Sequence, residues 1–220
     1  AQRRDEAGVG GAATGALLGR GAGKPGQHLA RDAAQASFRG VERLAAAVPS
    51  QRVIKAMAVQ QRGDLRLQRV EDRRGISHLT AARSRNGVTD WRVESEPTLS
   101  PDPDGHPEEV WGIEDPRITR IEELDLWAVV YTSYSEGGPL VSLATTKDFM
   151  SFTRKGVVMP PEDKDAALFP IRFGGRWAML HRPVSAFAGI GAHIWISFSP
   201  DMKHWGDHQI LIPARRGGWW

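Results

Sequence analysis

The segment ATTKDFMSF at residues 144–152 decides the fold, because two other segments of the chain repeat its pattern. ARSRNGVTDW at 82–91 and SFSPDMKHW at 197–205 have the same order: small residues that end a strand, then Asp or Asn, then an aromatic residue. We expect the Asp or Asn to cap a tight turn and the aromatic ring to pack on the neighbouring sheet. The three aromatic residues are about 50 to 60 positions apart, the length of one four-stranded propeller blade.

Short strands separated by turn residues fill the chain from Val53 onward. The apolar or alternating runs are 54–59, 65–70, 126–131, 140–144, 177–180 and 193–198. No long helical period interrupts them, so the sequence predicts an all-β fold. The repeat favours a β-propeller over three unrelated hairpins with similar turns. About three blades fit between residues 53 and 220, and a closed ring needs at least four, so we expect a partial propeller.

The first 52 residues differ in character from the rest of the chain. Residues 1–26 hold eight of the 24 glycines and almost no bulky apolar residue. Such a stretch buries too little surface to offset its ordering entropy. We therefore expect a head at 1–52 that is disordered or partly helical, with a helix over 28–48, followed by a propeller domain at 53–220. GRGAGK at 19–24 is followed by Pro25 where a phosphate loop requires Ser or Thr, which disfavours a nucleotide site.

Composition excludes several classes of function. The 220 residues contain no cysteine, which removes disulfides, thiol nucleophiles and Cys-ligated zinc. The seven histidines lack zinc-ligand spacing, and neither a metal nor an organic cofactor is expected. The net charge is only +3 and its signs are interleaved, which disfavours nucleic-acid binding. No apolar stretch approaches the roughly 20 residues of a membrane span, and we predict a cytoplasmic protein.

The segment GIEDPR at 112–117 carries the candidate acid, Asp115. Pro116 favours an extended backbone for the residue before it. A carboxyl group flanked by Glu114 and Arg117 in a propeller mouth is a candidate general acid. The alternative is that Asp115 and Arg117 pair with each other and fix a loop.

Three further segments combine basic residues with strand ends: RVEDRRG at 69–75, KDAALFP at 164–170 and LHRP at 180–183. In a propeller, strand ends and loops gather the site around the central channel. Lys164, His181, Arg182 and an arginine from 69–74 would together hold a phosphate by charge-assisted hydrogen bonds. The alternative is that each segment is a solvated strand end.

The motifs at 112–118, 164–170, 181–183 and 194–206 resemble those of glycoside hydrolase family 130, the β-mannoside phosphorylases and related mannosidases. The resemblance runs from about Arg69 to Trp220. It implies a five-bladed propeller with Asp115 as the catalytic acid. It also implies a phosphate site and a sugar site. The residues matched to phosphate are Arg73, Lys164 and His181, and those matched to the sugar are Arg69, Asp72, Trp111, Asp165 and Arg182.

The resemblance implies inverting phosphorolysis of β-1,4-mannooligosaccharides or mannosylglucose, with phosphate as co-substrate and α-mannose 1-phosphate as product. Phosphate is itself a nucleophile, so one acid is enough and no enzymic base is needed. The proton is expected to reach the glycosidic oxygen through a sugar hydroxyl. Trp111 and Tyr134 are candidate platforms for sugar rings, as is Tyr131 unless it packs in the core. A homo-oligomer is compatible with the sequence.

Two alternatives stay open. A β-mannosidase would use water and a second carboxylate, for which Glu71, Asp72 and Glu114 are candidates. An inert, truncated propeller is the other alternative, because the head at 1–52 does not resemble a first blade of this family.

Overall fold

The computed structural model describes residues 65–184 and 192–215, which form strands and two short 3₁₀ helices. The all-β prediction is confirmed for these residues. The strands are β1 (Leu65–Glu71), β2 (Ser77–Arg83), β3 (Arg92–Val93), β4 (Ile113–Ile121), β5 (Leu126–Ser135), β6 (Gly138–Thr146), β7 (Thr153–Met159), β8 (Asp163–Leu168), β9 (Trp177–Pro183), β10 (Ile194–Ser199) and β11 (Gly206–Ile212). The 3₁₀ helices are Pro107–Glu109 and Glu122–Leu124.

The strands form three antiparallel sheets in which sequential strands are neighbours. Sheet one is β1–β2–β3, sheet two is β4–β5–β6–β7 and sheet three is β8–β9–β10–β11. Five of the six predicted strands are confirmed, as β1, β5, β6, β9 and β10. The predicted strand at 54–59, the helix at 28–48 and the boundary between head and propeller lie outside the described residues.

The predicted turn repeat is confirmed in all three sheets. In each turn, the Oδ1 atom of an Asp or Asn accepts hydrogen bonds from the backbone N–H groups two and three positions later. The hydroxyl group of the Ser or Thr two positions earlier donates to the same Oδ1 atom. The capping residues are Asn86, Asp148 and Asp201. The residue after each cap is left-handed: Gly87, Phe149 and Met202. The turn always joins the last two strands, so β1–β3 correspond to the last three strands of sheets two and three.

The core lies between the sheets. One apolar cluster, which includes Leu79, Ile113 and Phe149, joins sheets one and two. A second cluster, which includes Val130 and Trp177, joins sheets two and three. The aromatic residues of two repeats pack as predicted, because Phe152 contacts the first cluster and Trp205 the second. Sheet two is therefore sandwiched between the other two.

Candidate active site

Asp115 lies at a β-bulge inside the first strand of sheet two. Glu114 pairs with Thr132 and Arg117 with Val130, so β4 has one more residue than β5 at this point. Residues 113–117 of the GIEDPR segment lie within β4. One expectation is corrected: Asp115 is left-handed, with φ +52°, rather than extended. Asp tolerates this conformation better than most residues, and the bulge requires it. A bulge leaves its extra residue unpaired and redirects the side chain.

The first strand of sheet three contains the same bulge. Lys164 pairs with Arg182 and Ala167 with Leu180, again with one extra residue, and Asp165 is left-handed at φ +54°. Asp165 is therefore the counterpart of Asp115, and Lys164 is the counterpart of Glu114. The segment at 164–170 was expected at a strand end, but most of it is strand β8.

The two bulge carboxylates have different partners. Asp165 Oδ2 accepts a hydrogen bond from Arg182 Nε at 2.7 Å and pairs with Nη2 of the same guanidinium. The counterpart of Arg182 in sheet two is the neutral Thr132. Asp115 is exposed, and its side chain makes no hydrogen bond or ion pair with any other described residue. The alternative Asp115–Arg117 pair does not form, because the Arg117 guanidinium donates to the Pro116 carbonyl at 3.3 Å.

Both bulges lie at the same edge of the structure. A parallel bridge between Ser77 and Gly112 places the β1–β2 turn beside the start of β4. A Cβ atom on Gly138 would lie 3.3 Å from Glu162, so the β5–β6 turn adjoins the start of β8. The starts of β4 and β8, the β1–β2 turn and the β5–β6 turn therefore all lie at this edge.

The predicted phosphate residues divide into two kinds. Lys164 is half-buried and Arg73 is exposed, and neither side chain has an ion pair or hydrogen bond with another residue of the described ranges. His181 differs from the expectation, because it lies inside β9 and is only 4% exposed. Its Nδ1 atom is 2.6 Å from Asp163 Oδ2 and its Nε2 atom is 2.7 Å from Ser197 Oγ. Each ring nitrogen of His181 thus has a hydrogen-bond partner within sheet three.

The β1–β2 turn contributes Arg69 and Asp72. Arg69 donates to Ser77 Oγ at 2.8 Å and pairs with Glu71 at 2.8 Å and with Glu114 at 3.2 Å. Asp72 Oδ1 closes the turn by accepting hydrogen bonds from the backbone N–H groups of Arg74 and Ile76. The bond from Ile76, with help from Arg74, lowers the pKa of Asp72 below its ordinary value. Arg69 therefore links sheet one to β4, whereas Asp72 shapes the turn.

A cleft of about 340 Å³ lies between this turn and the start of β4. It is lined by Arg69, Gly75, Ile76, Ser77, Trp111, Gly112, Glu114 and Tyr134. Trp111 is 48% exposed and Tyr134 is 39% exposed, and their ring centroids are 5.7 Å apart. Backbone bonds fix the pair, because Trp111 N–H donates to Tyr134 O and Tyr134 N–H donates to Gly112 O. Gly112 is required here, since a Cβ atom would lie 2.6 Å from Ser77 N.

Glu109 is a structural residue that sequence reasoning missed. Its side chain is fully buried and accepts hydrogen bonds from Tyr131 Oη at 2.7 Å, Arg154 Nε at 3.2 Å and the Asp102 N–H at 2.9 Å. Burial, and then the charge of Glu109, raise the pKa of Tyr131 above its ordinary value. Tyr131 is therefore a core residue, and Glu109 anchors the loop that carries Trp111. In the sequence, Glu109 resembles any charged loop residue.

A larger cleft, of about 860 Å³, lies along β3 and the turn between β2 and β3, and it contains none of the predicted site residues. Across 65–184 and 192–215, no group of His, Asp and Glu side chains is arranged to hold a metal ion. No helix in those ranges is long and apolar enough to cross a bilayer.

Comparison with known proteins shows the family of this chain. The sequence model of glycoside hydrolase family 130, described as β-1,4-mannooligosaccharide phosphorylase, matches residues 66–220. A β-1,2-mannobiose phosphorylase of Listeria innocua serovar 6a is 36% identical over 142 residues, which cover 64% of this chain and 38% of the relative. A 1,2-β-oligomannan phosphorylase of Thermoanaerobacter sp. is 34% identical over 147 residues, which cover 66% of this chain and 45% of the relative.

The structural comparison gives the same result. A solved structure of β-1,2-mannobiose phosphorylase from Listeria innocua, in complex with β-1,2-mannobiose, superposes with a TM-score of 0.59 at 35% identity. The match covers 66% of this chain and 39% of that one. The chain thus spans less than half of the length of the relatives that it matches. Because the family's sequence model covers 155 of its 220 residues, from 66 to 220, the chain belongs to glycoside hydrolase family 130.

Proposed function

We propose that this chain provides the catalytic acid and part of the phosphate site of an inverting β-mannoside phosphorylase, with inorganic phosphate as co-substrate and α-mannose 1-phosphate as product. Family membership and relatives named as mannoside phosphorylases support the reaction class. The proposed acid is Asp115.

One observation carries the proposal: among the carboxylates that sequence analysis considered, Asp115 alone has no partner in the described part of the chain. Glu71 and Glu114 form ion pairs with Arg69, and Asp165 forms one with Arg182. Asp72 accepts hydrogen bonds from backbone N–H groups of the β1–β2 turn. Inverting hydrolysis requires a second carboxylate to activate water, whereas phosphorolysis requires only the acid. The pairing pattern therefore favours a phosphorylase over a β-mannosidase.

Lys164 and Arg73 are the proposed phosphate ligands. Both are accessible cations at the edge that carries Asp115. Lysine binds phosphate as a point charge, and arginine binds it through two parallel hydrogen bonds. Arg182, locked to Asp165 beside Lys164, adds positive charge and orientation. His181 is the third proposed phosphate residue; it lies beside Arg182 in β9, and its ring contacts Asp163 and Ser197.

The cleft beside Asp115 is the proposed sugar site. The exposed faces of Trp111 and Tyr134 suit the apolar C–H face of a sugar ring. The Arg69–Glu114 ion pair offers donors and acceptors for hydroxyl groups. The cleft volume is at the lower end of the ~300–1,000 Å³ typical of small-molecule sites.

In the proposed step, a phosphate oxygen forms a bond to C1 of the mannosyl unit while the bond from C1 to the glycosidic oxygen breaks. The leaving oxygen takes a proton that originates on Asp115 and passes through a sugar hydroxyl. Attack from the opposite face inverts the anomeric centre, and the Asp115 carboxylate is reprotonated from solvent. The lysine and arginine side chains hold the phosphate in line and reduce its repulsion from the carboxylate.

Assays with different mannobioses test which glycosidic linkage is cleaved. The family's sequence model is described by a β-1,4 activity, whereas the two curated relatives above are named for β-1,2 linkages. The chain, and a longer form if one is encoded, is incubated with β-1,2- and β-1,4-mannobiose, with and without phosphate. We expect mannose 1-phosphate only when phosphate is present. Equal free mannose in both conditions would establish a mannosidase, and no turnover in any form would support an inert propeller.

The proposal also includes the architecture of the domain, a five-bladed propeller. The turn repeat that all three sheets share, and the bulge that sheets two and three share, support consecutive blades of a five-bladed propeller. The homo-oligomer and the cytoplasmic location stay predictions.

A further inference from the structure

A second cleft, of about 560 Å³, adjoins the proposed sugar cleft and has no part in the reaction described above. Ile76 lines both clefts, so they meet at this residue. Ser77 lines the sugar cleft and His78 the second cleft, as expected for neighbouring strand residues, whose side chains point to opposite faces. Trp111 and Val110 divide in the same way. The start of β2 and the chain before β4 therefore form a ridge between the two clefts.

Hydrogen bonds and prolines fix both walls of the second cleft. One wall is the β1–β2 turn, in which Asp72 accepts two backbone N–H groups. The other wall is the loop at 97–110, which contributes three prolines to the lining, and each proline restricts its own backbone. The buried Glu109 holds this loop by accepting the Asp102 N–H at 2.9 Å. The cleft is therefore formed before a ligand binds, as is usual for small-molecule sites.

The lining of the second cleft has no net charge when histidine is counted as neutral. Its acidic and basic residues are Asp72 and Arg74, and their charges cancel. The two side chains also bind each other, because the Arg74 guanidinium donates to Asp72 Oδ2 through Nε at 3.0 Å and through Nη2 at 2.9 Å. A neutral ligand therefore suits this cleft better than phosphate or another anion.

The other lining residues suit a sugar ring. Ile76, Val110 and the prolines present C–H groups to the cleft, and Val110 is 45% exposed. His78 is half-buried, and its side chain has no hydrogen bond or ion pair with another residue of 65–184 or 192–215. A neutral imidazole offers one donor and one acceptor, which matches the hydroxyl groups of a sugar. An apolar lining with a few placed polar groups is the usual composition of a small-molecule site.

We propose that the second cleft binds a further sugar unit of the substrate, on the leaving-group side of the bond that breaks. The inference rests on the proposed function, in which one mannosyl unit is transferred to phosphate beside Asp115. Every other unit then belongs to the leaving chain, so a unit held beyond Ile76 is part of that chain. Mannobiose has no unit to place there. The protein is therefore selective for oligosaccharides of three or more units.

The test compares mannobiose, mannotriose and mannotetraose, in β-1,2- and β-1,4-linked forms, by calorimetry on this chain without phosphate. We expect the two longer sugars to bind about tenfold more tightly than mannobiose, the effect of one or two added hydrogen bonds. His78→Ala should reduce this preference to about threefold or less, because a donor and an acceptor are lost. It should leave the affinity for mannobiose unchanged.

Three further variants control this result. His78→Gln keeps a donor and an acceptor and should retain most of the preference for longer sugars. Val110→Ala removes an apolar contact and should lower the preference, as His78→Ala does. Val88→Ala is the matched control, because Val88 is 76% exposed and lines neither cleft, and it should keep the wild-type preference. The preference is a ratio of two affinities within one variant, so a variant with fewer folded molecules still reports it.

Turnover with phosphate separates this inference from the proposed function. If mannobiose is cleaved but mannotetraose binds no more tightly than mannobiose, the function stands and the second cleft is not a sugar site. If no mannoside is cleaved but longer sugars bind more tightly through His78, the cleft binds sugar and the phosphorylase assignment fails. A preference that survives both His78→Ala and Val110→Ala, or that Val88→Ala also removes, overturns the placement in this cleft. No binding of any of the three sugars would overturn both proposals.

Discussion

Asp115 and Asp165 occupy the same bulge position in neighbouring sheets, and of the two only Asp165 is held by an arginine. Both residues have the same left-handed backbone conformation. The difference arises one strand away, where sheet three has Arg182 and sheet two has Thr132. This difference supports the proposal that Asp115 is the proton donor, and it leads to the first two predictions.

Asp115→Asn should reduce the release of mannose 1-phosphate by about 10²–10⁴-fold, the usual effect of losing a general acid. Binding of mannoside and phosphate should change little, because the amide keeps the shape of the side chain. Asp104→Asn, in an exposed loop, is the control and should retain activity. Unchanged turnover in Asp115→Asn would show that the acid has been misassigned.

Thr132→Arg should give Asp115 the partner that Asp165 already has. We expect turnover to fall by at least about tenfold, since pairing with an arginine favours the ionised carboxylate, which has no proton to donate. Thr132→Gln introduces a long polar side chain without the charge and is the control. Thermal melting of both variants separates the electrostatic effect from the cost of overpacking a buried position. If Thr132→Gln loses as much activity as Thr132→Arg, the explanation by ion pairing is wrong.

Arg154→Met should destabilise the protein strongly, because it leaves the buried Glu109 carboxylate without its cation. Breaking a buried pair from one side typically costs about 3–5 kcal/mol in the free energy of unfolding. Glu109→Gln in the Arg154→Met background should recover part of the loss, since the uncompensated charge is removed. Urea unfolding measures both, and an Arg154→Met variant as stable as wild type would contradict the role given to this pair.

Trp111→Ala should raise the KM for mannoside by roughly three- to tenfold, since an aromatic contact is worth about 0.5–1.5 kcal/mol. The KM for phosphate should not change. Met150→Ala is the control, because Met150 is 78% exposed and is not among the residues that line the cleft. A KM for mannoside that is the same in both variants would remove Trp111 from the sugar site.

The turn repeat predicts a pH dependence of stability. Backbone bonds, from His204 to Asp201 and from Ser151 to Asp148, lower the pKa of each capping carboxyl below its ordinary value. A lowered pKa in the folded state contributes stability above the unfolded pKa of about 3.9, and this contribution is lost as the pH falls through the folded pKa. The double variant Asp148→Asn, Asp201→Asn should therefore lose less stability between pH 7 and pH 3 than wild type.

Asn86 supports this prediction, because it caps the first turn with the same two backbone bonds and has no charge to lose. Urea midpoints at the two pH values provide the measurement. Parallel losses in wild type and in the double variant would show that the turn carboxylates do not contribute to acid sensitivity.

Local signals predicted much of this fold. The turn repeat and the apolar runs are encoded within nine or ten residues each, so the turns at Asn86, Asp148 and Asp201 and five strands could be read directly. The bulges could not, because they depend on pairing between strands, such as Glu114 with Thr132. Pro116 favours an extended neighbour, and the pairing of β4 with β5 overrides that local preference.

The sequence indicated which residue types would form the site, but it did not indicate how buried each side chain is or which residues it contacts. Asp115 and Lys164 lie at the accessible edge that the sequence suggested. His181 has the residue type of a phosphate ligand, but the register of β9 turns its ring into the sheet towards Asp163 and Ser197. Glu109 has no local signal, since its burial depends on Arg154 and Tyr131, 45 and 22 residues away.

The repeated bulge has an evolutionary consequence. The first strands of sheets two and three have the same preshaped bulge, and the neighbouring strand supplies Thr132 in one case and Arg182 in the other. Under the proposed role of Asp115, a single substitution at this neighbouring position is enough to exchange a proton donor for an ion-pair partner without rebuilding the sheet.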